Sequence, residues 1–385
     1  MKVLQIYKDY FPPVFGGIER HVNLLSTGLR KIGIETEVLV SNTCFKSIKE
    51  NIDGIPVTRV LQIGRLSSAP INPTFSTWLR KLARDVDILH FHLPNPTADL
   101  SYLFSRINRH IVVTYHSDIV KQANLFKLYY PFLLHFLSKA KMIISTSTKY
   151  LNSSSILNRF RSKCIVIPLG INLSAFTLPD SSLEVRSIRQ FYSGPLIIFI
   201  GQFRYYKGLH ILIEAMKNID GKLLLVGAGN SENRLRQQVA QSRLTDKVFF
   251  LGKLTDERML TYLQASDILI LPSHLRSEAF GIVQLEAMAC EKPVISTELG
   301  TGTSSVNRNH ETGLVVPPNN PEALATAANY LIDHPAIRRK FGKIGRHLVE
   351  THYNDIRMVE KIADVYRRVL EKKDPLKPRP SFYRR

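Results

Sequence analysis

The sequence predicts an α/β protein built as two doubly wound domains, and three observations predict it. Short apolar runs rich in β-branched residues alternate with helix-like stretches along nearly the whole chain. Such runs read as strands covered on both faces by crossover helices. They fall into two sets parted by a polar, punctuated stretch, and 385 residues are long for one core and sufficient for two. A glycine-bearing turn follows the first strand of each set, where sheets of this kind bind ligands beyond the carboxyl ends of their strands.

In the first set, strands are expected at residues 2–7, 36–41, 57–61, 87–92, 111–115, 142–146 and 164–167. The second set comprises 196–200, 222–226, 248–251, 268–272, 293–296 and 313–316. Between them, residues 168–195 carry Asn172, Ser174, Pro179, Asp180, Ser181, Ser182, Ser193 and Gly194, a linker composition. The expected domains are therefore 1–175 and 190–353, facing each other across a cleft that is the default ligand site. Residues 354–372 resume a helical period through Ile356, Val359, Ile362, Ala363, Tyr366 and Leu370, and this helix is expected to pack back toward the first domain. The basic tail 374–385 has no apolar face to bury.

Composition narrows the function classes. The three cysteines, Cys44, Cys164 and Cys290, are far apart, with no CxxC and no ligand-spaced His/Cys cluster. Neither a disulfide framework nor a zinc site is indicated. The strand-like 3–7 follows Met1-Lys2 directly and is too short for a signal-peptide core, and no run of about 18 apolar residues exists to span a bilayer. A cytoplasmic protein is expected. The net charge is +20, and residues 1–170 hold 22 Lys and Arg against 10 Asp and Glu. That excess argues for an anionic partner of the first half: nucleic acid, an anionic membrane surface, or a phosphorylated substrate. The segment 121–141, with Lys121, Phe126, Lys127, Tyr129, Tyr130, Phe132, Leu133, Phe136, Leu137, Lys139 and Lys141, either lies against an anionic bilayer or packs as a core helix.

Three segments carry phosphate-binding chemistry. Gly16-Gly17 opens a helix after the first strand, where backbone amides and the helix N-terminus favour an anion; a plain tight turn reads equally well. Gly201-Gln202-Phe203-Arg204-Tyr205-Tyr206-Lys207-Gly208 sets Arg204, a planar fork, and Lys207, a point charge, beside a strand end, suited to a diphosphate unless the loop is merely solvated. Glu278 and Glu286 lie eight residues apart across Gly281, Ile282 and Val283. Were that stretch helical throughout, the two carboxylates would stand roughly 12 Å apart on nearly one face. Amides of Gly281, Ile282 and Val283 at a helix start would receive phosphate oxygens, with Glu278 and Glu286 accepting hydrogen bonds from sugar and ribose hydroxyls.

Taken in order over roughly residues 1–370, the glycine pair, the Gly-x5-Lys-Gly loop and Glu-x7-Glu followed by Pro293-Val294-Ile295-Ser296 resemble the retaining glycosyltransferases of family four, which have the GT-B fold of two Rossmann-like domains. Tyr205-Tyr206-Lys207-Gly208 and Gly300-Thr301-Gly302-Thr303-Ser304 look most like the bacterial branch that builds surface polysaccharides, often from GDP-mannose. The resemblance implies that Gly16, Gly17 and Lys207 contact the donor diphosphate, Glu278 the donor sugar, Glu286 the ribose, and the backbone near Gly252-Lys253 the base. It implies that His116 is a cleft histidine near sugar and acceptor. It further implies a nucleotide-sugar donor as substrate, a glycan or polyprenyl-diphosphate-linked acceptor, a peripheral place on the cytoplasmic membrane, and no cofactor, metal or nucleic acid. Gln202 departs from the family's usual arginine after the loop glycine, so either Arg204 takes over the clamp or Lys207 acts without a guanidinium partner.

Duller readings compete elsewhere. Asp85-Val86-Asp87 spells an acidic metal triplet but leads straight into a strand, and reads as a strand-entry turn. His90 and His92 share one strand face, as acceptor contacts or structural histidines. Gly227-Ala228-Gly229 lacks the rest of a dinucleotide fingerprint. Rival functions are a nucleotide-sugar epimerase, a glycan phosphorylase, for which no cofactor or phosphate pocket is evident, and a non-catalytic basic binding protein.

Overall fold

The structure is a computed structural model that describes residues 1–14, 16–66, 69–119, 123–176 and 183–371, with 123–125 described by backbone alone. Phe15, Lys121, the linker residues Pro179, Asp180, Ser181 and Ser182, and the basic tail lie outside the described residues. The chain divides into two units, one comprising Met1–Pro168 with the segment from Ile356 onward, the other Leu169–Asp355.

The first unit contains β1 (Lys2–Ile6), β2 (Glu35–Ser41), β3 (Ile48–Ile52), β4 (Ile55–Val60), the hairpin β5 (Gly64–Leu66) and β6 (Ala69–Ile71), β7 (Ile88–Leu93), β8 (His110–Tyr115), β9 (Met142–Ser145) and β10 (Cys164–Val166). Its main sheet runs β10-β9-β8-β7-β1-β2-β4-β3. Only the β3–β4 pair is antiparallel. Every apolar run of the first set is a strand, whereas β3 and the hairpin were not foreseen.

Helix Asp355–Leu370 belongs to this unit. Met358, Val359, Ile362, Ala363, Tyr366 and Val369 form one buried cluster with Val3, Leu25, Leu29, Ile88, Val112 and Met142. Each large apolar side chain of that cluster contributes roughly 1.5–3 kcal/mol by leaving water.

The second unit holds β11 (Leu196–Ile200), β12 (Lys222–Val226), β13 (Val248–Gly252), β14 (Ile268–Leu271), β15 (Val294–Thr297) and β16 (Gly313–Val316), in the order β13-β12-β11-β14-β15-β16. All its pairings are parallel. The strand order reverses between β11 and β14, the switch point at which such sheets bind ligands.

Two boundaries differ from the sequence reading. The first domain ends at Pro168 rather than 175, because Leu169 and Ile171 join the second unit's core and Ile171 is hydrogen-bonded to the backbone of Tyr353 and Asp355. The expected linker also contains a helix, Leu183–Tyr192, of which only Val185 and Tyr192 are buried. So thin an apolar stripe reads as polar in sequence.

Candidate active site

The second unit's site is built where β11 and β14 end side by side. The loop after β11 carries Lys207, and the loop after β14 carries Ser273 and Glu278. Lys207 Nζ lies 2.5 Å from Glu278 Oε2, and both side chains are nearly buried at 13% and 9% exposure. The same oxygen accepts a hydrogen bond from Ser273 Oγ at 2.9 Å. Burial works against the lysine's charge, but the Glu278 carboxylate outweighs it and holds the Lys207 pKa above its ordinary value. Lys207, expected on the diphosphate, and Glu278, expected on the sugar, thus meet as an ion pair.

Glu278 is held from behind by the Gly300–Ser304 turn. Thr301 Oγ1 donates to the Glu278 carbonyl at 2.8 Å, and the Gly302 amide donates to the Ala279 carbonyl at 2.7 Å. Gln284 Nε2 donates to the Phe280 carbonyl at 2.9 Å. Ser273 and Gln284 are positioning residues that sequence reasoning missed, since nothing in their spacing marks them; Thr301 stood in the Gly300–Ser304 run, but without this role.

The stretch from Glu278 to Glu286 is not one helix. The helix runs Val283–Ala289 with Ile282 as its N-cap, and Gly281 sits at φ +75° before it. The separation inferred for a continuous helix therefore does not apply. Gly281, Ile282 and Val283 do stand at the helix start, and half-buried Glu286 lies in its first turn.

Arg204 is exposed, and its charge reaches Lys207, opposing that lysine's protonation. Lys253 is exposed directly after β13, next to Gly252, whose carbonyl accepts from the Gly227 amide at 2.8 Å. Tyr205 stacks on His210 with centroids 5.1 Å apart, and His274 meets both rings edge-on.

In the first unit, register assembles a buried polar cluster. Gln5 on β1 pairs with His90 on β7, and His92 on β7 pairs with Thr114 on β8. Residues two apart share a face, so Gln5, His90, His92 and Thr114 collect on one side of the sheet. Gln5 Nε2 donates to the Tyr366 hydroxyl at 3.1 Å, leaving that hydroxyl to donate to His90 Nδ1 at 2.6 Å. His90 Nε2 then donates to Thr114 Oγ1 at 2.8 Å. Gln5 Oε1 accepts from His92 Nε2 at 2.9 Å, which leaves the lone pair of His92 on Nδ1. That nitrogen lies 3.0 Å from His116 Nε2, and the two rings are stacked.

His21, on the helix Gly17–Lys31, turns its ring edge toward both, with centroids 5.7 Å from His92 and 5.3 Å from His116. Burial depresses the His21 pKa to about 4 and the His90 pKa to about 3. His92 and His116 are held well below the ordinary range by burial and then by the neighbouring imidazoles. All four are neutral at neutral pH.

Other expected features fall as follows. Gly16 caps the helix Gly17–Lys31, but a Cβ there would stand 2.1 Å from Glu19 Oε2, so an anion arriving at this turn shares it with a buried carboxylate. Asp87 accepts the Lys2 amide at 2.8 Å, the strand-entry role read for the acidic triplet. In the helix Ala123–Lys139, Tyr129, Leu133, Phe136 and Leu137 are core, while Leu128 and Phe132 are exposed beside exposed Lys127 and Lys139. Among the described residues, no helix is long and apolar enough to cross a membrane.

Comparisons with known proteins agree with this geometry. The sequence model described as Glycosyltransferase Family 4 matches residues 15–175, and that of Glycosyl transferases group 1 matches 184–348. The chain is 35% identical to the O-antigen chain mannosyltransferase C of Escherichia coli over 97% of this chain and 100% of that one. It is 37% identical to the D-rhamnosyltransferase WbpZ of Pseudomonas aeruginosa over 89% and 90%. Among solved structures it superposes on sucrose-phosphate synthase from Thermosynechococcus elongatus with a TM-score of 0.83 at 25% identity, covering 97% of this chain and 100% of that one. Anabaena Alr3699/HepE in complex with UDP and glucose gives 0.78 at 19% identity, covering 94% and 98%, a likeness of fold. The protein belongs to glycosyltransferase family 4 and has the GT-B fold.

Proposed function

We propose that the protein transfers a manno-configured hexose, with mannose from GDP-mannose the preferred reading, onto a glycan or polyprenyl-diphosphate-linked acceptor in surface-polysaccharide synthesis. The observation that carries the reading is the buried Lys207–Glu278 pair at the β11/β14 switch point. The choice of sugar is supported by the mannosyltransferase and D-rhamnosyltransferase relatives at 35% and 37% identity, since mannose and D-rhamnose share a configuration.

Transfer through an oxocarbenium-like transition state leaves negative charge on the departing diphosphate. Lys207 meets that charge, Arg204 adds a second cation from the exposed side of the loop, and the amides of Gly281, Ile282 and Val283 supply helix-start donors. Glu278 accepts from sugar hydroxyls and Glu286 from the ribose. The backbone at Gly252-Lys253 borders the base. No metal is assigned to the diphosphate, because side-chain cations and amides answer its charge.

Glu278 Oε2 is committed to Lys207 and Ser273, which makes it a poor covalent nucleophile. This favours same-face attack with retention, the leaving phosphate taking the acceptor's proton. His116 polarises and positions on the acceptor side. Exposed Leu128 and Phe132 among lysines suit a lipid-linked acceptor met peripherally at an anionic membrane.

The test is a donor screen with the full chain, offering GDP-mannose, UDP-sugars and dTDP-rhamnose with a lipid-linked glycan acceptor and reading the product's anomeric configuration. GDP-mannose consumption with a retained anomer is expected. Binding of no nucleotide-sugar would sink the donor reading, and donor conversion without acceptor would indicate an epimerase.

A further inference from the structure

We propose that His21, His92 and His116 form a binding site for one first-row transition-metal dication, Zn²⁺ being the best fit. Their ligand nitrogens all lie within 4.8 Å of one another. Three neutral imidazoles gathered this closely are the donor set that such ions select.

Two independent features point inward. Both ring nitrogens of His21 are buried without a hydrogen-bond partner, although the residue is only 2% exposed. A buried polar group left so is rare and calls for a ligand or an equivalent explanation. The orientation of His92 is fixed from outside the triad: Gln5 Oε1 accepts a hydrogen bond from its Nε2–H, which leaves the Nδ1 lone pair facing His116. An outer acceptor that sets the tautomer is the usual support of a metal-bound histidine. The Gln5 amide is itself anchored on Tyr366.

The cation would sit within the first unit alone. The binding itself rests only on the nitrogens.

The test therefore reads the cation and not the transfer. The untagged full chain is stripped with a chelator, dialysed, and titrated with ZnCl₂ by calorimetry and thermal melting, with CoCl₂ as a spectroscopic reporter of nitrogen ligation. One equivalent bound with a saturable rise in melting temperature is expected. His21→Phe fills the same buried space and removes the orphaned nitrogens, so it should fold at least as well without metal. It should nevertheless weaken Zn²⁺ binding by roughly 100-fold or more, the loss of one of three ligands. His347→Ala, an exposed histidine elsewhere, should bind as the parent does. No uptake by the parent, or equal uptake by the parent and a folded His21→Phe variant, would overturn the proposal.

Discussion

At the residue scale, the Lys207–Glu278 pair couples stability to chemistry. Removing one partner of a nearly buried ion pair strands the other, whereas replacing both with apolar groups can be close to neutral. Lys207→Ala should destabilise the protein by about 3 kcal/mol, while Lys207→Met with Glu278→Leu should recover most of that loss without recovering transfer. Denaturant melts of the three proteins beside an activity assay check this. A double variant as unstable as the single one would mean that the pair's contribution is packing.

The histidine cluster makes an acid-side prediction. The metal-free folded protein holds His21 at about 4 and His90 at about 3, against an ordinary value of 6.5. As pH falls below 6.5 the unfolded chain binds protons first, so this stability is complete above pH 6.5 and drains away toward pH 4. His21 alone accounts for on the order of 3 kcal/mol of the loss. Chemical denaturation of chelator-treated protein between pH 7 and 4.5 should show a steep decline, and His90→Gln should flatten it. A flat profile would show that the rings are not buried as neutral bases.

At the element scale, the Lys207 loop depends on one close approach. Gly208 has φ +70°, and a Cβ there would stand 2.0 Å from the Pro272 carbonyl oxygen at the end of β14. Both neighbours are backbone, so neither yields as a flexible side chain would. Gly208→Ala should therefore cost more than the 1–2 kcal/mol or so of left-handed strain alone and pull the loop from β14. Its signature is a fall in donor affinity together with melting temperature. Unchanged donor affinity would separate the loop's fit from the site.

Gly281 explains why the spacing of Glu278 and Glu286 misled. A left-handed glycine ends any helix that contains Glu278, and a seven-residue gap alone does not reveal it.

At the scale of the whole molecule, the buried parallel strands were legible because strands covered on both faces must be apolar throughout. The edge strand β3 was not. Its Ile48-Lys49-Glu50-Asn51-Ile52 is partly exposed and carries polar residues in its centre. The phosphate-type loops were legible from glycine and cation placement at strand ends, but their meeting was not, because it depends on β11 and β14 lying side by side despite their distance in the chain. The histidine triad was hidden for the same reason. His21 comes from a helix, and His92 and His116 from the ends of neighbouring strands, so no ligand spacing announces them.

The central claim is that the donor's diphosphate rests on Lys207. Its most direct test is calorimetric titration of GDP-mannose into the parent chain and into Lys207→Met, with folding checked by melting. A charge-assisted hydrogen bond of about 2 kcal/mol predicts roughly 30-fold weaker donor binding in the variant. Equal affinity in the two folded proteins would contradict the claim.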